Sequence, residues 1–347
     1  MPSDYATSPS SRPSMGRRPF IKITALAAGL IGLGGAALAQ ALSRGELQPV
    51  RKTRLLMGTL ATLTLCSDNP QEAERAIGLA FARMAALEGV LSRHRQDSQL
   101  SVLNRSGQLR NPHPALQEVV RQALHFAHLT DGAFDISVGP LLALYGACAR
   151  GGKLPTQQEV GRALELVDYR RIKISPGELA LEPGMSLTLD GIAKGYIIDQ
   201  GAQALHGMGY RRVMVEVGGD LRCANAPDGQ PWRIGVLSPR DPQGGLAAVA
   251  EVAQGSLATS GDYLFTYTAD RRLHHILDPR TGRSPEELSS VSVMAPNACQ
   301  ADALSTAIMV LGKERGMRLA QCLPAVEAML IGKEGQRMAT VGFPRAP

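Results

Sequence analysis

The sequence predicts an α+β fold: a single compact domain of mixed and antiparallel sheets with flanking helices. Long stretches carry apolar residues at helical spacing, and short apolar runs have the length and alternation of strands. Their order does not repeat as regular βαβ units, which argues against a purely parallel sheet. With 347 residues, 44% of them hydrophobic, the chain can bury a large core. No solenoid period and no Pro/Gly/Ser linker divides it.

Reading from the N-terminus, MGRRPFIKITALAAGLIGLGGAALAQA sets Arg17-Arg18 before a short, glycine-broken apolar run ending in Ala37-Leu38-Ala39. This has the form of a twin-arginine signal over residues 1–39, implying export to the periplasm in a folded state. Left uncleaved, the leader would be an inner-membrane anchor, although its run is short for a spanning helix. Residues 40–54 read as a polar, basic lead-in, and residues 55–347 as the domain, with structure starting near Leu55.

Many basic residues fall before position 55, so the net charge of +6 says little about the folded body. With aromatics at 4%, bases would find few stacking partners, and nucleic-acid binding is not expected. The five cysteines are scattered and contain no C-x-x-C, which removes a zinc cage or a disulfide framework and leaves a single disulfide open.

The first strand lies in LLMGTLATLTL, alternating from Leu60 to Leu65. Ile77, Phe81, Met84, Leu87 and Leu91 then mark one face of a helix. A polar loop, HRQDSQLSVLNRSG, leads to a second helix from Pro114, stopped near Gly132. Thr156 and Glu159 have capping-box spacing for a third. AKGYIIDQGAQALHGMG reads as a helix closed by Gly209, followed by a buried strand in RVMVEVGG. Further strands are expected in WRIGVL, AAVAEVA, HHIL, SSVSVMA, VEAMLI and QRMATV, with one late helix, ADALSTAIMVLG.

Four segments set polar groups in apolar surroundings, which is costly unless those groups are satisfied or used. In TDGAFDISVGPLLALYG, Asp131-Gly132 suits a helix end or a tight turn whose Asp caps a backbone amide, or else the small residues form a surface for a flat ring with Asp135 anchoring it. SLTLDGIAKGYIID, residues 186–199, fails as a nucleotide P-loop: Gly191 and Gly195 are four apart and Lys194 precedes the second. What survives is a strand, a glycine turn and a helix start whose amides and Lys194 can meet an anion. In HHILDP, adjacent histidines on a strand point to opposite faces, so they do not share a metal, and one can serve a site as base or donor. Asp302 and Thr306 share a helix face, forming either an extended cap or two oxygens for Mg²⁺.

Taken in order, MGTLATLTL, DSQLSVLN, TDGAFDISVGPL, DGIAKGYIID, VEVGGDL, ATSGDY, HHILDPRTG and ADALSTAIMVLG resemble the FAD:protein FMN transferase family, the ApbE family, from about Met57 to Gly312. The resemblance implies Mg²⁺-dependent transfer of FMN from FAD to a Ser or Thr hydroxyl of a target flavoprotein, releasing AMP. It places flavin and adenine contacts on Met57, His94, Ala133, Phe134, Asp135, Thr188, Lys194 and the backbone at Ile276. Metal ligands fall on Asp302, Thr306 and the Gly191 carbonyl. His275 matches the histidine proposed as catalytic and is the first candidate base, with Asp302 or Asp278 next.

Two departures stand out. Many members have tyrosine where His94 stands, and many read Asp-Leu-Gly-Gly where this chain has Thr188-Leu189-Asp190-Gly191. On a strand, positions 188 and 190 share a face, so Asp190 is expected to supply the carboxylate absent at Thr188. The leader and the T-L-x-G-I-A variant resemble the exported branch that serves membrane flavoproteins, including the nitrous-oxide-reduction type. The expected partner is an exported acceptor flavoprotein, which would bring the chain near the membrane. A periplasmic FAD carrier without transfer, or an FAD diphosphatase, is the alternative. No S/T-G-A-S/T acceptor motif is present, so self-flavinylation is not expected.

Overall fold

Strands that face two separate cores build the main sheet. In the computed structural model, which describes residues 47–225, 231–241 and 245–343, eight strands pair antiparallel in the order β1-β2-β6-β7-β10-β11-β12-β13. They are β1 Gln48–Leu56, β2 Thr59–Ser67, β6 Val213–Val217, β7 Asp220–Ala224, β10 Gln254–Gly261, β11 Leu288–Ala295, β12 Glu327–Gly332 and β13 Arg337–Ala339. On β6, Val213, Val215 and Val217 enter the larger core while Met214 enters the second; on β12, Ala328 and Leu330 oppose Met329 and Ile331. A sheet buried on both faces needs such near-continuous apolar runs.

Helices α1 Pro70–Leu91, α6 Ala193–Gly207 and α7 Ala298–Cys322 cover one face. The stripe of Ile77, Phe81, Met84, Leu87 and Leu91 is buried as its spacing predicts, behind Asn69 as N-cap and Pro70 in the first turn. The ribbon β8 Trp232–Leu237 with β9 Leu246–Val252 closes the second core on the other face. Helices α3 Pro114–Leu129, α4 Gly139–Arg150 and α5 Gln157–Leu164 lie with a small sheet of β3 Gln108–Arg110, β4 Lys173–Ser175 and β5 Glu178–Ala180. The capping box of Thr156 and Glu159 is formed in both directions.

The structure departs from the sequence reading in several places. Strand β1 begins at Gln48, ahead of the Leu55 expected, and pairs with β2 along its whole length. Its basic, exposed residues suit a sheet edge, which the sequence reading takes for a lead-in. The expected loop at 94–107 contains a helix, α2 Gln99–Ser106, capped by Ser98 accepting from Ser101 N–H and closed by left-handed Gly107. HHIL is not a strand: the segment makes one bridge, Thr266 with His274. Residues 186–190 are not a strand either. Their backbone is held by the Asn104 side chain, which bonds both Leu187 N and O, and by Thr188 N–H donating to Ile136 O. The late helix runs on past the Gly312 expected to end it. Gly312 breaks it at φ 79°, and a Glu287 carboxylate recaps it at Lys313 N.

The twin-arginine segment lies outside the described residues. Among the described residues, no helix is long and apolar enough to cross a membrane.

Candidate functional site

The SLTLDGIAKGYIID turn is built by close approach. A Cβ on Gly195 would collide with the Ala298 carbonyl, so glycine lets the start of α6 press on the start of α7. At that contact Gly195 N–H donates to Asp302 Oδ2 at 3.0 Å, so a free amide of the helix start meets a carboxylate. One turn along α7, Thr306 Oγ1 lies 3.2 Å from Ser260 Oγ at the end of β10. A Cβ on Gly191 would sit 3.0 Å from Thr306 Oγ1 and 3.3 Å from Phe134 Cε2. Gly191, Phe134, Asp302 and Thr306, which the sequence separates, therefore meet at one place.

Lys194 points into the same place. Its Nζ lies 2.7 Å from Asp220 Oδ2, whose other oxygen accepts from Thr259 N–H at 3.0 Å. Burial opposes the Lys194 charge, but Asp220 and then Asp302 more than offset this, and the ammonium titrates above its usual range. Burial, with the Asp220 charge adding to it, pushes the Asp302 carboxyl up to about 7 against the pull of Lys194 and Gly195 N–H. The sequence reading does not single out Asp220 as a site residue. Its signal was the carboxylate directly after the diglycine turn in VEVGGDL, where Gly218 and Gly219 have φ 58° and 98°.

His275 is half-buried on the loop between β10 and β11. Its N–H donates to Phe265 O at 3.0 Å, and Nδ1 lies 3.2 Å from the same oxygen. A carbonyl can only accept, so Nδ1 carries the proton and Nε2 keeps its lone pair. Burial lowers the His275 pKa, the Phe265 carbonyl and Asp190 oppose that, and Lys194 and Arg93 add to it. His274 is fully buried, its N–H bonded to Ser284 Oγ at 2.8 Å, and burial brings its pKa down to about 4. The two rings thus differ in environment, on a loop and not on the strand expected.

The remaining predicted residues divide into walls and turns. Met57, with Gly58, forms the tight β1–β2 hairpin with φ 54° and 73°, the left-handed pair of a type I′ turn. Gly218 packs on Thr59 of that hairpin. Ala133, Phe134 and Ile276 are buried in the larger core. Asp135 spends its oxygens within the protein: Oδ1 accepts from Ser137 N–H and Oγ at 2.7 Å each, and Oδ2 from Tyr169 N–H at 3.0 Å. Asp135 thus caps the turn that follows it, at Ile136–Val138. Asp278 is engaged by Arg280 through Nε and Nη2, both at 2.8 Å.

Asp190 is not on one strand face with Thr188. Thr188 is buried and its Oγ1 accepts from Asp190 N–H at 3.2 Å, turning the chain so that the Asp190 side chain faces outward to Arg93. His94 is exposed beside it, Nε2 3.9 Å from Asp190 Oδ1.

Among the described residues, no group of three or more His, Cys, Asp or Glu side chains could hold a metal. Asp302 and Thr306, one turn apart on α7 and beside Gly195 and Gly191, carry oxygen donors, the type a hard divalent cation takes alongside water and phosphate.

The ApbE family model matches residues 57–330. The chain is 32% identical over 298 residues to a FAD:protein FMN transferase of Salmonella typhimurium, covering 82% of this chain and 84% of that one. It is 35% identical over 239 residues to one of Vibrio cholerae, covering 67% and 72%. Among solved structures, the ApbE protein of Thermotoga maritima superimposes with a TM-score of 0.78 at 29% identity, over 86% of this chain and 100% of that one. The apo flavinyl transferase ApbE of Pseudomonas stutzeri does so with a TM-score of 0.75 at 29% identity, over 86% and 96%. With a family match over most of its length and relatives of this similarity and coverage, the chain belongs to the ApbE family.

Proposed function

We propose that this chain transfers FMN from FAD to a Ser or Thr hydroxyl of an acceptor flavoprotein, with Mg²⁺ bound and AMP released. The observation that carries this reading is the meeting of Gly191, Lys194, Asp302 and Thr306 at the α6–α7 contact, in a chain of this family. Met57, His94, Ala133, Phe134, Asp135, Thr188 and Ile276 would shape or line the FAD site, Asp135 through the turn it caps. Asp302, Thr306 and the Gly191 carbonyl fit Mg²⁺ by donor type. When bound, the ion would offset charge on the diphosphate.

In the proposed step the acceptor oxygen bonds to the phosphorus of the FMN half. The bridging P–O bond to the AMP half breaks, and its electron pair leaves with AMP. The hydroxyl proton passes to His275 Nε2, the nitrogen left unprotonated by the Phe265 carbonyl. Lys194, kept cationic by Asp220, adds positive charge near the leaving group. Most of the rate comes from holding donor and acceptor in line.

Export by the twin-arginine route to the periplasm, and service of a membrane flavoprotein of the nitrous-oxide-reduction type, belong to the same proposal and rest on the leader and the T-L-x-G-I-A variant. Incubation of the purified chain with FAD, Mg²⁺ and a candidate acceptor domain, read by in-gel flavin fluorescence, tests the activity. A fluorescent acceptor band supports transfer. FAD binding with neither AMP nor label would make the chain a carrier, and AMP without label a diphosphatase.

A further inference from the structure

The two departures from the family pattern, His94 and Asp190, meet in space. Asp190 Oδ2 accepts from Arg93 Nε at 2.5 Å, and Asp190 Oδ1 lies 3.9 Å from His94 Nε2. The side chains of Arg93 and Asp190 are 35% and 43% exposed, and an ion pair so open to water adds little to folding. Its position is the informative feature. Asp190 directly precedes Gly191, where an added Cβ would lie 3.0 Å from Thr306 Oγ1, and Arg93 follows the end of α1 at Ser92, so the pair ties a rigid helix end to the proposed substrate site.

We propose that Arg93 is a further substrate-binding residue, held by Asp190 so that its guanidinium meets the diphosphate of FAD. Asp190 is then a positioning residue and does not replace the carboxylate absent at Thr188. The bond to Asp190 uses the Nε donor, and a guanidinium carries four more N–H groups in a planar fork suited to phosphate oxygens. Lys194 is paired with Asp220, so Arg93 would bring a second cation to the diphosphate. This inference rests on FAD being the substrate.

The test compares the wild-type chain with Arg93→Ala, Arg93→Lys and Asp190→Asn. FAD and riboflavin binding are followed by flavin fluorescence, transfer by steady-state kinetics with FAD varied, and folding by urea unfolding. Arg93→Ala should weaken FAD binding and raise KM for FAD about tenfold, the scale of one charge-assisted contact. Riboflavin binding should stay within about twofold, since riboflavin lacks the diphosphate. Arg93→Lys should recover part of the loss, and Asp190→Asn should show a smaller loss of the same kind. Unfolding midpoints should be unchanged for all three. Unaltered FAD binding in Arg93→Ala, equal losses for FAD and riboflavin, or a fall in kcat at constant KM would overturn the inference while leaving wild-type transfer standing. A wild-type chain that does not bind FAD would instead overturn the proposed function.

Discussion

Replacing Lys194 by methionine removes a charge while keeping most of the apolar stem. Nζ lies 2.7 Å from Asp220 Oδ2, and the two side chains are 24% and 3% exposed. Removing one partner of a buried pair costs roughly 3–5 kcal/mol, because the other charge is left in low dielectric. The partly exposed lysine and the Thr259 N–H still bonded to Asp220 put the expected loss at the lower end, about 3 kcal/mol. Urea unfolding at pH 7, followed by far-UV circular dichroism and Trp232 fluorescence, measures it. Asp220→Asn and the double variant complete a cycle in which the double loss is smaller than the sum by at least about 1 kcal/mol. A loss below about 1 kcal/mol for Lys194→Met, or strict additivity, would refute a buried, coupled pair.

Gly195→Ala drives a Cβ into the Ala298 carbonyl and disturbs the bond to Asp302, with an expected cost of about 2–3 kcal/mol in thermal unfolding. Gly207→Ala, in the same helix with nothing within 4 Å of its added Cβ, should be neutral or stabilising and serves as the control. Asn104→Ala removes both bonds to Leu187, at 2.8 and 2.7 Å. It should cost about 1–3 kcal/mol and speed amide exchange across 186–190. For pH, Asp302 sits near 7 in the fold against about 3.9 in an unfolded chain, so the folded state holds a proton that the unfolded state releases between those values. The Asp302 contribution to stability of the metal-free chain is then fully present below about pH 4 and is lost as pH rises to about 7, so Asp302→Asn should lack that dependence. Equal slopes for the two proteins would contradict the assignment.

The sheet, the long helices and the residues that meet at the α6–α7 contact were legible because each carries a local signal. Period-2 and period-3.6 patterns survive without knowledge of partners, and Gly195 beside Lys194 marks a turn whatever packs on it. Helix α2 was legible in principle through its Ser98 cap and Gly107 stop, but its short, polar span outweighed them. The segment at 186–190 alternates like a strand, yet its ladder partner is the amide of Asn104, a tertiary contact no periodicity reports. The same limit hid Asp220 and the Arg93–Asp190 pair, which depend on residues distant in sequence. Asp190 shows the effect most plainly: strand geometry would put it beside Thr188, whereas the Thr188 hydroxyl bonds its amide and turns its carboxylate outward.

The most direct test of the proposed function is the ratio of AMP released to flavin bound covalently to an acceptor. It is followed over time with the wild-type chain and with His275→Asn, FAD and Mg²⁺ being in excess. One AMP per covalent flavin is expected from the wild type. His275→Asn should still bind FAD yet slow both products together by about 10²–10⁴-fold. AMP running well ahead of acceptor-bound flavin, or a His275→Asn variant as fast as the wild type, would contradict transfer at this site with His275 as its base.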